Sequence, residues 1–269
     1  MTQGSRGISG HSVTVSGQNG ATVTLAWAAL TDTGLRRTAN EDSYLAQAPI
    51  FAVADGMGGH LAGDLASAAV ATRLAEKAEQ GPVEPSGITD ALRAAVEDMR
   101  GGLGITDNGT GTTVSGVAIA ERDRELAWLV FNIGDSRVYR LEQGILEQLT
   151  RDHSVVQELM DAGHITSEEA DVHPHSNIIT RAVGFHEDPV PDFRLLAIRE
   201  GVRLLICSDG LTKELTNYGI RHFLLANPKP ADAVQQLLDA ALGNGGRDNV
   251  TVIVIDVVAL GTESEHGDE

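Results

Sequence analysis

Five aspartates stand where apolar runs of this chain begin or end. Asp55 follows IFAVA, Asp135 follows LVFNIG and Asp209 follows LLICS; Asp248 comes just before VTVIVID, and Glu41 with Asp42 just before SYLA. In an antiparallel sheet the end of one strand neighbours the start of the next, so these carboxylates can share one rim. Two like charges about 4 Å apart repel by roughly 4 kcal/mol at an effective dielectric near 20, so such a cluster needs cations. Oxygen donors with no His or Cys alongside select hard ions, Mg²⁺ or Mn²⁺. Two such ions can bridge a water, lower its pKa and clamp a phosphoryl group. Any one of these aspartates, taken singly, reads as an ordinary turn or cap residue. The joint placement carries the inference.

Positioning them requires strands whose ends lie side by side. The period-two, β-branched run 21–30 reads as a strand, and SYLAQA and PIFAVA as two short ones. DGMGGH (55–60) reads as a glycine-rich loop, 61–79 as an alanine-rich helix and 88–99 as a second helix. GTTVSGVAIA, ELAWLVFNIG, SRVYRLEQ and ILEQLT then read as four strands of an antiparallel meander joined by short turns. After an irregular region, 151–188, containing one short helix, DFRLLAI and VRLLICS read as a hairpin. Two helices (218–226 and 231–242) and a final strand, NVTVIVIDV, follow. Hairpin joins and grouped helices predict α+β layers rather than a parallel sheet.

The composition of the 269 residues, 42% apolar and 22% charged, is that of a globular protein able to bury a full core. A net charge of −18 opposes binding of nucleic acid or anionic lipid. The longest apolar run, 250–260, is broken by Asp256 and too short to span a bilayer. The lone Cys207 permits no internal disulfide and fits a reducing compartment, so a cytoplasmic location is expected. Residues 1–20 read as a flexible lead-in without an apolar signal core, 21–260 as one domain, and 261–269 as an acidic disordered tail.

Competing motifs fail on single residues. GMGGHLAG has Leu61 where a dinucleotide loop needs its third glycine, and GDSRV has Val138 where a serine elbow needs its last. A phosphatase cysteine usually has Arg six residues on; Lys213 stands there, and Cys207 reads as a core residue. His153, His164, His173 and His175 read as loop or surface residues.

RTANED (37–42), DGMGG (55–59), GTT (111–113), GDSR (134–137), SDGL (208–211) and DNVT (248–251) span about four-fifths of the chain. Together they resemble the metal-dependent serine/threonine protein phosphatases of the PPM (PP2C) family, in its bacterial branch. The resemblance implies a four-layer α-β-β-α sandwich, two antiparallel sheets each flanked by helices. It implies that Asp55 bridges two catalytic Mn²⁺ or Mg²⁺ ions, with the Gly56 carbonyl on one and Asp209 and Asp248 on the other. Glu41 and Asp42 would act through metal-bound waters, Arg37 would fork onto the substrate phosphate, and Asp135 with Asp209 would hold a third, weaker ion. The expected reaction is hydrolysis of phosphoserine and phosphothreonine by a metal-bridging hydroxide attacking phosphorus in line. Residues 151–188 would form a mobile flap beside the site.

Met57 stands where many eukaryotic members carry a histidine proposed as the leaving-group acid, and that role is not carried to His60. The expected partners are phosphoproteins, substrates of a bacterial Ser/Thr kinase, acted on by a monomer without the transmembrane helix and sensor domain of some relatives. Two other readings are a catalytically degenerate regulatory module that binds phosphoproteins, and a hydrolase of small phosphorylated metabolites.

Overall fold

A computed structural model describes residues 10–17, 19–58, 62–81, 83–101, 110–186 and 188–262. The chain opens with strands β1 (His11–Ser16), β2 (Ala21–Asp32), β3 (Asp42–Gln47) and β4 (Ile50–Met57). Helices α1 (Ala62–Ala78) and α2 (Pro85–Gly101) follow. Next come β5 (Gly111–Thr112), β6 (Val114–Arg122), β7 (Glu125–Ile133), β8 (Arg137–Glu142) and β9 (Ile145–Gln148). Short helices α3 (Val155–Asp161) and α4 (Ser167–Asp171) precede β10 (Asp192–Ala197) and β11 (Arg203–Cys207). Helices α5 (Asp209–Thr212), α6 (Asn217–Ala226) and α7 (Pro230–Gly243) lead to β12 (Val250–Thr262).

The strands form two antiparallel sheets. One runs β1-β2-β12-β11-β8-β9; the other runs β10-β7-β6-β4-β3, with β5 paired to β4. Three apolar layers hold the stack together. Phe51, Val53, Ile253 and Ile255 pack between the sheets. Their alternate neighbours face outward: Ile50, Ala52 and Ala54 pack under α1 and α2, and Val250, Val252 and Val254 under α6 and α7. Burial on both faces explains why β4 and β12 read as continuous apolar runs rather than alternating ones. The outer helices present matching stripes. Ile88, Ala91, Leu92, Ala95, Val96 and Met99 are buried on α2, and Ala233, Val234, Leu237, Leu238 and Ala241 on α7. Pro85 and Pro230 open these helices, where a missing N–H costs nothing. The result is the expected α-β-β-α sandwich. Leu237→Ala, at a fully buried position in the α7 layer, is expected to cost about 2–5 kcal/mol in urea unfolding.

Four expectations are corrected. The four-strand meander is two hairpins in different sheets: β6 pairs β7, β8 pairs β9, and the chain crosses between sheets at Gly134–Ser136. DFRLLAI and VRLLICS form no hairpin. β10 is an edge strand on β7, whereas β11 is buried on both faces between β8 and β12. Strand periodicity reports burial but not which neighbour supplies it, so both runs fit either pairing. His11–Ser16, placed in the flexible lead-in, are strand β1, in register with Thr22–Trp27 of β2. β12 likewise runs to Thr262, into the expected tail. Residues 1–9 and 263–269, like Gly59, His60 and Leu61, lie outside the described residues.

Candidate active site

Both sheets end at one cleft of about 430 Å³. Asp55 comes from the β3–β4 pair, where it is the register partner of Asp42. Its backbone is clamped by Thr113: the Asp55 N–H donates to Thr113 Oγ1 at 3.0 Å, and the Thr113 N–H donates to the Asp55 carbonyl at 2.9 Å. Thr113 Oγ1 also lies 2.8 Å from Ser136 Oγ, which ties this side to the crossover bearing Asp135. Next to Asp55, Gly56 packs under the start of α1. A Cβ there would lie 2.0 Å from the Gly63 carbonyl oxygen, so only glycine fits.

The other sheet contributes Asp209 just past β11 and Asp248 just before β12. These strands are antiparallel neighbours, so an end and a start meet. Ser208 and Thr251 join them through two hydrogen bonds at 3.0 Å. At Gly210 a Cβ would lie 1.9 Å from the Asn249 carbonyl oxygen. Gly210→Ala must therefore push the turn carrying Asp209 away from Asp248. It is expected to leave a folded protein whose cleft works roughly 100-fold less efficiently, checked by turnover beside circular dichroism. Asn249 ties in the loop that carries Arg37 and Glu41. Its Nδ2 donates to the Thr33 and Ala39 carbonyls, and its Oδ1 accepts from the Glu41 N–H at 2.8 Å.

Arg37, Glu41, Asp55, Gly56, Asp135, Asp209 and Asp248 all line the cleft. Asp42 does not line it. It is buried, with Oδ2 accepting from Ser208 at 2.8 Å and Thr251 at 2.6 Å, and with Oδ1 unpartnered among the described residues. The half-exposed Arg37 guanidinium pairs with Asp248 at 2.8 Å. Lys213, which the sequence marks only as the residue standing where an arginine is missing, joins the site: its Nζ lies 2.5 Å from Asp209 and 3.1 Å from Asp248. The available signal was its spacing, four residues after Asp209 on a helical turn. Thr113 and Asn249 were passed over; each stands in a matched motif beside a better-marked residue.

Crowding shows in the proton affinities. Burial, reinforced by the charges of Asp209 and Asp248, lifts Asp42 to about 7 against its hydrogen bonds from Thr251 and Ser208. Burial and then Asp209 and Asp152 lift Asp135 to about 7. Asp55 is raised well above the carboxylate range by burial and by Asp42, Asp209, Asp135 and Asp248. Burial opposes the charge on Lys213, but Asp209 and Asp248 outweigh it and raise its pKa.

The donor set is oxygen only, and one buried oxygen of Asp209 has no partner among the described residues. That chemistry fits hard divalent cations. Among the described residues no three His, Cys, Asp or Glu side chains are already drawn together to grip one ion. The cationic ends of Lys213 and Arg37 sit on the carboxylates instead.

Asn177 and Ile179 of the irregular region reach the cleft, held by the bridges Thr112–Val183 and Ser154–Ile179. Met57 lines it too, without a proton to give. Cys207 is buried and its thiol is pushed up to about 12 by burial, which suits a core residue. His153 is a buried loop residue, accepting from the Gly134 N–H and paired with Asp192 at 3.1 Å.

Residues 36–242 match the family described as Protein phosphatase 2C. The serine/threonine protein phosphatase PstP of Mycobacterium tuberculosis is 40% identical over 244 residues, covering 88% of this chain and 46% of that protein. The chain thus spans about half the length of that relative. Protein phosphatase PhpP of Streptococcus pneumoniae is 34% identical over 239 residues, covering 85% of this chain and 96% of PhpP. A crystal structure of the catalytic domain of serine/threonine protein phosphatase PstP in complex with two manganese ions superposes with a TM-score of 0.77. It is 39% identical and covers 87% of this chain and 99% of that one.

Proposed function

The chain belongs to the protein phosphatase 2C family, and from that membership and the cleft we propose that it is a metal-dependent phosphatase of phosphoserine and phosphothreonine in proteins. The observation that carries the proposal is the convergence of Asp55 from one sheet with Asp209 and Asp248 from the other in a single cleft. Asp55 and the Gly56 carbonyl would hold one ion, with Glu41 reaching it through bound water, and Asp55, Asp209 and Asp248 would hold the second. Mn²⁺ or Mg²⁺ there would supply an acidified water as nucleophile and neutralise charge on the phosphoryl group.

The chain's own residues do the rest. Thr113 fixes the Asp55 backbone from both sides, and Asn249 fixes the loop that presents Glu41 and Arg37. Arg37 offers two parallel N–H groups to a phosphate, which a planar guanidinium does better than an ammonium. To do so it exchanges Asp248 for the substrate. With Met57 in the cleft and Cys207 buried, neither side chain acts as acid or nucleophile.

Among the described residues no helix is long and apolar enough to cross a membrane. We place the protein in the cytoplasm as a monomer, opposite a bacterial serine/threonine kinase. Asp135 with Asp209 remains the proposed position of a third ion, and residues 151–188 the proposed flap.

The test is release of phosphate from a phosphothreonine peptide with Mn²⁺, Mg²⁺ or EDTA, run beside Asp55→Asn. Turnover is expected with either metal and is expected to vanish in EDTA and in the variant. Turnover that persists in EDTA refutes the metal-dependent reading. Phosphorylated metabolites that compete better than phosphopeptides would redirect the substrate class. A filled acidic rim weighs against a degenerate binding module. Such a module would bind the phosphopeptide and release no phosphate under any of these conditions.

A further inference from the structure

Lys213 closes the short turn α5, and its N–H donates to the Asp209 carbonyl at 2.8 Å. The turn brings its side chain back over the residue four positions earlier. Nζ then lies 2.5 Å from Asp209 Oδ2 and 3.1 Å from Asp248 Oδ2. The Lys213 carbonyl is anchored as well, accepting from Arg247 Nη2 at 3.1 Å. One ammonium therefore links the two carboxylates that close the far side of the cleft, while the other Asp209 oxygen is buried and unpartnered among the described residues.

We infer that the Lys213 ammonium is a tethered counter-ion that holds Asp209 and Asp248 together before metal binds and competes with the incoming divalent ion for them. The inference rests on the metal-dependent reading above. A cation taking both carboxylates must displace the ammonium or bind beside its positive charge. Lys213 is thus a tuning residue for metal affinity. It stabilises the protein when metal is scarce and weakens the binding of metal when it is present.

The two effects have opposite signs, and a merely structural lysine would not produce that pair. In calorimetric titration with Mn²⁺, Lys213→Met is expected to bind about tenfold tighter than wild type, and in EDTA to melt at a lower temperature. Lys213→Arg, which keeps the charge, is expected to stay near wild type in both. Equal or weaker Mn²⁺ binding by Lys213→Met overturns the role of Lys213. Wild type that takes up no Mn²⁺ overturns the metal-dependent reading instead.

A second measurement needs no charge-removing variant. The chain has only three lysines, Lys77, Lys213 and Lys229. Reductive ¹³C-methylation keeps their charge and gives one resolvable signal each, with Lys213→Arg identifying the relevant one. That signal is expected to shift during titration with diamagnetic Mg²⁺ while the other two stay fixed. A Lys213 signal unmoved at saturating Mg²⁺ overturns the inference.

Discussion

Asp209→Asn is expected to abolish manganese-dependent phosphate release from a phosphothreonine peptide, by at least about 10³-fold in kcat/KM, or roughly 4 kcal/mol of transition-state stabilisation. The side chain keeps its shape and loses its charge. One Asp209 oxygen is buried without a partner among the described residues, and the other pairs with Lys213. An amide there turns one acceptor into a donor aimed among cations. The fold should survive, because two effects oppose. The Lys213 pair is lost, while repulsion that Asp209 exerts on Asp42, Asp55 and Asp135 is relieved. Melting in EDTA within about 3 °C of wild type, together with dead turnover, is the expected pairing. Turnover close to that of the unmutated protein would refute the role given to this residue.

Without divalent ions, the protein is expected to lose stability as pH rises. An unfolded aspartate titrates near 3.9, whereas Asp42 and Asp135 are lifted to about 7 in the fold and Asp55 is raised well above the ordinary carboxylate range. Folding thus takes up protons between these values. The stability they confer is fully present below the unfolded pKa and is lost as pH climbs through about 7. Raising the pH from about 5.5 to about 8 in EDTA should lower the melting temperature by roughly 5–10 °C. Mn²⁺ at about 100 times its dissociation constant should restore about 2.7 kcal/mol, again roughly 5–10 °C. Its effect should be larger at the higher pH, because the ion competes with protons for the oxygens of Asp55 and Asp135, which line the cleft. Scanning fluorimetry across both pH and metal measures all of this. An EDTA melting temperature that rises between these two pH values would contradict the account of the rim.

Much of the cleft is legible in the sequence because its residues lie at strand ends, and strand ends are marked locally. IFAVA stops at Asp55 and LLICS at Ser208–Asp209, and no knowledge of pairing is needed to see either. The amphipathic α2 and α7 are equally local, since a stripe at three- and four-residue spacing is one helix's own property. The crossover at Gly134–Ser136 is not legible, because β7 and β8 carry the same apolar pattern whichever sheet each joins. The β10–β11 hairpin fails for the same reason. Lys213 was weighed only as a failed arginine; its carboxylate partner Asp248 lies 35 residues away.

By itself, the sequence determined the chemistry on offer: oxygen donors without sulfur or imidazole, one arginine beside them, and apolar runs that place each acid where backbone leaves a sheet. The tertiary structure alone decided which sheet each run joined, that Asp42 lies out of the cleft, that two cations already rest on Asp209 and Asp248, and that burial raises the proton affinity of Asp42, Asp55 and Asp135. The division has a physical cause. Backbone conformation and amphipathic pattern arise from neighbours a few residues apart, whereas sheet pairing, desolvation and charge coupling depend on distances between segments that meet only when the chain has folded.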